Sequence, residues 1–395
     1  MLDDRVCRRV RAILWGLLAA LPLACQSRRI PLYQDPMEHQ KVERPPLALY
    51  EIDWWTPLVL PSAWEYLPRE PAPPAADANG GRIIVLTHDK VARAVAMDDG
   101  RLEWSFTTHG PFTASALIHD GVVYVPGGDG TLYALEADSG QPLWSYDMGE
   151  PLVATPAFAL GKVLAPTEDD AVVAVEARTG KLAWRYRREG TASFTVHGAA
   201  GPRIDGELAY IGFSDGALVA LNVADGSVKW ERALSTPGKQ FLDVDTTPVL
   251  DAAGRLFAAS YKDGIYAVER TTGLIQWHTA RAGVTDLLIR GPVLFAAGDG
   301  EVEALMKENG RPLWRYALRA KAAGAPVAAR GLIIAPTGEG LIFLDASNGK
   351  ARSFWNPGKG VTASPLWSRS QLYVLSNLGF LYAMHLTGGG TAHRQ

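Results

Sequence analysis

Cysteine is almost absent from this chain of 395 residues, and its two cysteines, Cys7 and Cys25, both lie near the N-terminus. The rest of the chain therefore cannot form an internal disulfide bond or a thiolate metal site. Charge of one sign is also missing, because 39 Lys and Arg residues face 42 Asp and Glu residues for a net charge of -3. Without a basic run, the chain does not fit the class of proteins that bind nucleic acid.

The signatures of common catalytic sites are missing as well. The eight histidines are scattered without an H-x-x-x-H pair, and there is no G-x-S-x-G elbow, P-loop or dinucleotide fingerprint. The glycine-rich stretch GGDGT at 127–131 falls in a predicted β-hairpin and lacks the helix N-terminus that a phosphate would need. We therefore expect no catalytic residue, no metal, no cofactor and no small-molecule substrate.

The apolar run at residues 12–24 is too short to span a bilayer as a stable anchor. It follows an arginine-rich stretch at 5–11, and this order is typical of an export signal. The run ends immediately before Cys25, which predicts a bacterial lipoprotein processing site with the lipid on Cys25. Pro22 stands where such sites usually have an aliphatic residue, so an ordinary signal peptide with an incidental Cys25 is the alternative. Gln26 follows the cysteine, and the absence of Asp at this position resembles lipoproteins sent on to the outer membrane.

A Gly-x-x-x-Trp signature is what the sequence does contain, and it recurs along most of the chain. Its copies are Gly100/Trp104, Gly140/Trp144, Gly180/Trp184, Gly226/Trp230, Gly273/Trp277 and Gly310/Trp314, with a looser copy at Gly349/Trp355. Successive tryptophans lie 37 to 47 residues apart, which matches one four-stranded propeller blade per repeat. Because no such repeat can bury its faces alone, the pattern predicts a closed ring.

Each repeat has the pattern of four short strands. The segment TLYALEA at 131–137 alternates as a strand does, and Asp-Gly pairs such as 129–130 supply the tight turns between strands. Each Trp falls on the fourth strand, where its ring is expected to wedge between neighbouring sheets. A structural role is favoured over a binding cage for these tryptophans.

The last repeat lacks its fourth strand, and an unpaired sheet edge would favour aggregation. The strand-like segment 50–60 (YEIDWWTPLVL) precedes the first complete sheet and can fill the gap. We therefore predict an all-β fold: an eight-bladed β-propeller of four-stranded antiparallel blades, closed by an N-terminal strand that completes the last blade. The predicted domains are a signal peptide (1–25), a flexible tether (26–49), the propeller (50–388) and a tail (389–395).

The repeat consensus resembles Y-x-x-x-x-D-G-x-L-x-A-L-x-x-x-x-G-x-x-x-W, which quinoprotein-like propellers share. Two groups compete: pyrroloquinoline-quinone (PQQ) dehydrogenases, and the BamB family of outer-membrane protein assembly factors. The leader, tether and closing strand resemble BamB over almost the whole chain. DVDTTPV at 243–249 is similar to a BamB motif between the fourth and fifth blades, and FTVHGAAGP at 194–202 takes the place of another family stretch.

This resemblance implies that the two segments form the patch that contacts BamA. Carried over by position, the partner-binding residues are Asp243 and Asp245, with Phe194 and Val196 as the apolar pair. His197 stands where the family usually has Arg, and a neutral imidazole cannot supply a fixed bidentate cation. From the residues alone, Asp243 and Asp245 project from one side of an extended segment and could receive a partner's Arg or Lys. The alternative is that one of them caps a turn.

We therefore expect a non-catalytic scaffold of the outer-membrane β-barrel assembly (BAM) complex, exported and lipid-anchored at the periplasmic face of the outer membrane. Its expected partners are a BamA-like assembly protein and, through free strand edges, unfolded outer-membrane proteins. Two alternatives remain open: a quinoprotein related to PQQ-dependent dehydrogenases, and a periplasmic propeller that binds another protein.

Overall fold

The computed structural model of the protein describes residues 32–33, 49–59, 69–188, 200–234, 243–320 and 324–387. These residues form β-strands, turns and connecting segments, without a helix. Within the same ranges, no helix is therefore long and apolar enough to cross a bilayer.

Two strands precede the repeats, β1 (Leu32–Tyr33) and β2 (Tyr50–Pro57). Blade 1 comprises β3 (Ala75–Asp77), β4 (Arg82–Thr87), β5 (Val91–Ala96) and β6 (Leu102–Thr107). Blade 2 comprises β7 (Leu117–His119), β8 (Val122–Pro126), β9 (Thr131–Glu136) and β10 (Pro142–Asp147). Blade 3 comprises β11 (Ala157–Ala159), β12 (Lys162–Pro166), β13 (Ala171–Glu176) and β14 (Leu182–Arg187). Blade 4 comprises β15 (Arg203–Asp205), β16 (Leu208–Gly212), β17 (Ala217–Asn222) and β18 (Val228–Ala233).

The second half of the ring repeats the arrangement. Blade 5 comprises β19 (Val249–Leu250), β20 (Arg255–Ser260), β21 (Gly264–Glu269) and β22 (Ile275–Thr279). Blade 6 comprises β23 (Val284–Arg290), β24 (Val293–Gly298), β25 (Glu301–Met306) and β26 (Pro312–Ala317). Blade 7 comprises β27 (Val327–Ala329), β28 (Leu332–Thr337), β29 (Gly340–Asp345) and β30 (Ala351–Trp355). The first three strands of blade 8 are β31 (Leu366–Ser368), β32 (Gln371–Leu375) and β33 (Phe380–Leu386).

The predicted closure of the ring is confirmed. In blade 8 the strand order is β2-β33-β32-β31, so the N-terminal strand supplies the missing fourth strand. The pairing of β2 with β33 is antiparallel and runs from Tyr50 opposite Leu386 to Pro57 opposite Phe380. The fold class predicted from the repeats, an eight-bladed propeller of four-stranded antiparallel sheets, is therefore correct.

The Trp of each signature wedges between blades, as the repeat predicts, and the structure also explains the Gly. The Trp184 ring of blade 3 lies against Gly226 of blade 4, where an added Cβ atom would come within 2.6 Å of the ring. Its indole N–H donates to the carbonyl of Val223, 2.9 Å away. At the closure, Trp54 of β2 makes the same contact with Gly100 of blade 1. The Gly that precedes the fourth strand of a blade therefore makes room for the Trp ring of the preceding blade.

One pairing falls inside the segment expected to be a tether. Strand β1 pairs in parallel with the outer strand of blade 6, with Leu32 opposite Arg315 and Tyr33 opposite Tyr316. Blade 6 therefore has five strands in the order β1-β26-β25-β24-β23. Nothing in the composition of residues 26–49 distinguishes this short stretch from its surroundings.

Candidate functional site

The segment 243–249 connects blade 4 to blade 5 and is tied to the turns of both. The Val244 N–H donates to the carbonyl of Phe213 in blade 4, at 3.1 Å. The Tyr261 N–H of blade 5 donates to the carbonyl of Asp243, at 3.0 Å. Thr246 is fully buried, and its hydroxyl accepts the Ala259 N–H at 2.8 Å. These bonds hold the segment on the end of the ring that carries the blade-to-blade connections.

The structure brings the two predicted segments together at one described contact. The Gly201 N–H, from the connection between blades 3 and 4, donates to the Thr247 hydroxyl at 3.0 Å. The other predicted residues of that connection, Phe194, Val196 and His197, lie outside the described residues. So does Cys25, the predicted lipidation site.

Val244 separates the two acids and packs into the core. It is 1% exposed and belongs to a cluster that includes Tyr210 of blade 4 and Trp230. A Cβ atom on Gly212 would lie 2.2 Å from the Val244 carbonyl oxygen, so this close approach requires glycine there. The buried Val244 fixes the backbone and thereby fixes the positions of the flanking carboxyl groups.

The two acids have different environments. Asp243 is only 2% exposed and takes part in interactions of its own. Asp245 is half-buried, and among the described residues its enclosed Oδ2 atom has no hydrogen-bond partner. Burial, and then repulsion from Asp243 and Asp170, raises the pKa of Asp245 to about 8. At neutral pH the Asp245 carboxyl is therefore mostly protonated and uncharged.

The turns of neighbouring blades surround this carboxyl with further acids. Asp170 of blade 3 accepts hydrogen bonds from the N–H and the hydroxyl of Ser214. Arg188, which follows the last strand of blade 3, is already engaged: it bridges Asp215 at 2.6 Å and Glu231 at 2.8 Å. The negative field on Asp245 is therefore not relieved by the Arg188 guanidinium.

Tyr261 of blade 5 borders the same site. Its hydroxyl donates to Asp299 of blade 6. This hydrogen bond to Asp299 raises the pKa of Tyr261 to about 12, with smaller contributions from burial and from the charge of Asp245. The phenol therefore stays a neutral donor at physiological pH, and the site gains no negative charge from it.

Asp170 and Tyr261 were not identified from the sequence as site residues. Each lies in the turn between the second and third strands of its blade, the turn that a propeller brings to the same end as the blade-to-blade connections. At 168–170 the sequence is EDD in place of the usual Asp-Gly, and this extra acid is the feature of the sequence that could have indicated Asp170 as a site residue.

The arrangement suits recognition of a cation. An incoming guanidinium or ammonium would favour the ionised form of Asp245, lower its pKa and release its proton. Within the described residues, no group of three or more His, Cys, Asp or Glu side chains could hold a metal ion.

Comparison with known proteins identifies the family. The family model described as "Outer membrane protein assembly factor BamB" matches residues 88–297 and 289–392. A curated relative from Legionella pneumophila (strain Paris), named "Outer membrane protein assembly factor BamB", is 26% identical over 200 residues, covering 49% of this chain and 52% of the relative. The chain thus spans about half the length of the curated relatives it matches.

Solved structures agree on the fold. The crystal structure of BamB from Moraxella catarrhalis has a TM-score of 0.73 and 21% sequence identity, covering 85% of this chain and all of that one. The quinohemoprotein alcohol dehydrogenase of Comamonas testosteroni has a TM-score of 0.70 at 15% identity, covering 88% of this chain and 78% of that one. At these identities the likeness shows a shared propeller and does not separate scaffold from enzyme. The family model, which matches well over half of the sequence, does so: this chain belongs to the family of the outer membrane protein assembly factor BamB.

Proposed function

We propose that this chain is a non-catalytic scaffold subunit of an outer-membrane β-barrel assembly complex. In this proposal it is exported, held at the periplasmic face of the outer membrane by a lipid on Cys25, and bound to a BamA-like protein. The names of the curated relatives support the assembly role and the absence of catalysis. The contact consists of Asp243–Thr247 together with the adjoining segment 194–202.

The observation that carries the proposed contact is the enclosed Oδ2 atom of Asp245, which has no hydrogen-bond partner among the described residues. Ionisation of this carboxyl therefore destabilises the free protein, in agreement with its raised pKa. A partner's Arg or Lys would remove that penalty by pairing with the ionised form. Arg188 already pairs with Asp215 and Glu231, and in this proposal the partner brings the cation that pairs with Asp245. The site is therefore poised for a basic group from outside the chain.

The segment 194–202 would complete the patch. Phe194 and Val196 supply apolar contact in this proposal, and His197 replaces the Arg that the family resemblance leads one to expect. A neutral imidazole leaves more of the electrostatic attraction to Asp245.

Binding to the purified periplasmic domains of BamA from the same organism tests the contact. We expect Asp245→Asn to weaken binding at least tenfold, because the amide cannot become an anion. For the unsubstituted chain, affinity should rise with pH up to about 8 and then level off, since binding releases the proton of Asp245. Isothermal titration in buffers of different ionisation enthalpy measures both the affinity and the proton release.

Glu207→Gln is the matched control, because it removes one exposed carboxylate from the turn between β15 and β16, at the opposite end of the strands. It should bind as the unsubstituted chain does. Equal affinity of Asp245→Asn and the control, or binding without proton release near pH 7, would refute the contact at Asp245.

Free outer strands could in addition bind extended segments of unfolded outer-membrane proteins by β-augmentation. The dehydrogenase-like alternative has the propeller likeness in its favour. Calorimetry with PQQ and calcium distinguishes a dehydrogenase-like protein from a scaffold, since a scaffold gives no heat of binding. Affinity purification from the native envelope separates the remaining alternative, a periplasmic propeller with another protein partner.

A further inference from the structure

A cavity of about 710 Å³ lies between blades 2 and 3. Its size falls within the range of roughly 300–1,000 Å³ that is typical of small-molecule sites. It is bordered by the turns at 119–122 and 176–179, which join first to second and third to fourth strands. In an antiparallel meander these turns lie at the opposite end of the strands from segment 243–249. The cavity is therefore distinct from the proposed contact with BamA.

Equivalent positions at two other blade interfaces carry an ion pair. Between blades 1 and 2, Arg82 at the start of β4 pairs with Asp138 in the turn after β9, at 2.6 Å. Between blades 5 and 6, Arg255 at the start of β20 pairs with Glu308 in the turn after β25, at 3.1 Å. In both cases a long cationic side chain reaches across the interface from the second strand of one blade to the last turn of the next.

Between blades 2 and 3 the same two positions hold Val122 and Arg178. Val122 starts β8 as Arg82 starts β4, and Arg178 takes the place of Asp138 in its turn. The side chain that would cross the interface is therefore short and neutral, and the charge on the turn is reversed. Both Val122 and Arg178 line the cavity, which occupies the space that a crossing arginine would fill.

The charges on the rim leave one cation without a partner. Asp120 lies 3.3 Å from the His119 ring, and Glu176 lies 3.7 Å from the Lys162 ammonium. Among the residues that the structure describes, Arg178 forms no ion pair and no side-chain hydrogen bond. Because both rim acids have basic neighbours, the charge that this interface lacks is an anion for Arg178.

The walls of the cavity are largely apolar. The Phe158 ring stacks on His119 with 3.5 Å between centroids, and Leu143 is 54% exposed. The Trp144 N–H is already bonded to the Ala177 carbonyl at 3.0 Å, so the indole offers the cavity its carbon atoms. The site therefore combines apolar walls with a single guanidinium at the rim.

We propose that this cavity binds an amphipathic carboxylate, with the apolar group between Leu143 and Phe158 and the carboxylate on Arg178. A guanidinium matches a carboxylate with two parallel hydrogen bonds, so Arg178 fixes the orientation of the ligand. The carboxylate of the ligand would pair with this turn as Arg82 and Arg255 do at the equivalent interfaces, with the two charges reversed. Two sources carry this chemistry: a free organic acid, and the C-terminus of a polypeptide that ends in an apolar residue.

Titration calorimetry on the mature chain with three probes tests the proposal. The probes are 3-phenylpropionate, the peptide acetyl-Ala-Ala-Phe with a free carboxylate, and the same peptide as its C-terminal amide. We expect at least one carboxylate to bind and the amide to bind at least tenfold more weakly. Stronger binding of 3-phenylpropionate identifies a free acid as the ligand, and stronger binding of the peptide acid identifies a polypeptide terminus.

Two variants locate the binding. Arg178→Ala should weaken it at least tenfold, whereas Arg352→Ala in blade 7 should not. The double variant Val122→Arg with Arg178→Asp rebuilds the ion pair seen between blades 1 and 2 and puts a carboxylate where the ligand would find its guanidinium. It should abolish binding while the thermal transition is retained. The proposal is overturned if neither carboxylate binds, if the amide binds equally well, or if the folded double variant still binds.

Discussion

Asp245→Asn is expected to stabilise the protein, and the gain should depend on pH. The raised pKa means that the folded protein keeps this proton up to about pH 8, whereas the unfolded chain loses it near pH 4. The unsubstituted protein therefore loses stability as pH rises between these two values. A neutral amide does not ionise, so the variant avoids this loss.

The magnitude follows from the size of the shift. Raising a carboxyl pKa from its ordinary 3.8 to about 8 corresponds to about 6 kcal/mol at 1.36 kcal/mol per unit. Because Asp245 is only half-buried, solvent screening reduces this figure, and we expect a gain of about 2 kcal/mol above pH 8. With an unfolding entropy of about 2.1 cal/mol/K per residue, this raises Tm by about 3 °C.

Differential scanning calorimetry at pH 5, 6.5, 8 and 9 measures the difference between the variant and the unsubstituted chain. The other titrating groups are common to both proteins and cancel in that difference. The gain should be small at pH 5 and greatest at pH 8 and above, while the exposed control Glu207→Gln stays unchanged throughout. A gain of equal size at pH 5 and pH 8, or a loss at pH 8, would refute the reasoning.

Two further predictions concern the ring itself. Gly226→Ala should cost about 3 kcal/mol by chemical denaturation, because its φ of 75° disfavours alanine and the new Cβ meets the Trp184 ring at 2.6 Å. Gly206→Ala in the same blade has φ 58° and open space around it, so it should cost only about 1 kcal/mol, and equal costs would contradict the wedge. Deleting residues 50–57 should expose the edge of β33 and produce oligomers in light scattering. The control deletion of residues 389–395 should leave the light-scattering signal unchanged. If the protein without residues 50–57 is monomeric and fully stable, the closing strand is not a stabilising contact.

The fold was predictable because the repeat records it directly. The Trp of each copy packs on the Gly of the next copy across a blade interface, and β2 was identifiable because the last repeat lacked one strand. The candidate residues Asp243 and Asp245 could also be identified from the sequence. The ionisation of Asp245 could not be predicted, since its pKa is raised first by burial in the folded ring and then by the charges of Asp243 and of Asp170, which belongs to another blade.

The cavity and the pairing of β1 were also beyond the sequence. Val122 and Arg178 look ordinary in their own repeats, and only the juxtaposition of blades 2 and 3 makes them neighbours. The pairing of Leu32 with Arg315 depends on a free strand edge, which any outer strand offers equally. Sequence repeats therefore report what the blades share, and the functional differences lie where one interface departs from the others.

The strand that seals the ring has a consequence for how the chain reaches its native state. Tyr50 is made early and Leu386 late, yet they are adjacent in the finished sheet. Contacts of such long sequence separation slow folding, since the loop must close before the pairing can compensate for the lost entropy. The first seven blades can form from strands that are close in sequence, whereas blade 8 requires β2 and β33, which are far apart in sequence. Until these two strands pair, the unsealed edges of β2 and β33 are vulnerable to intermolecular pairing, so a chaperone would be most useful at this last step.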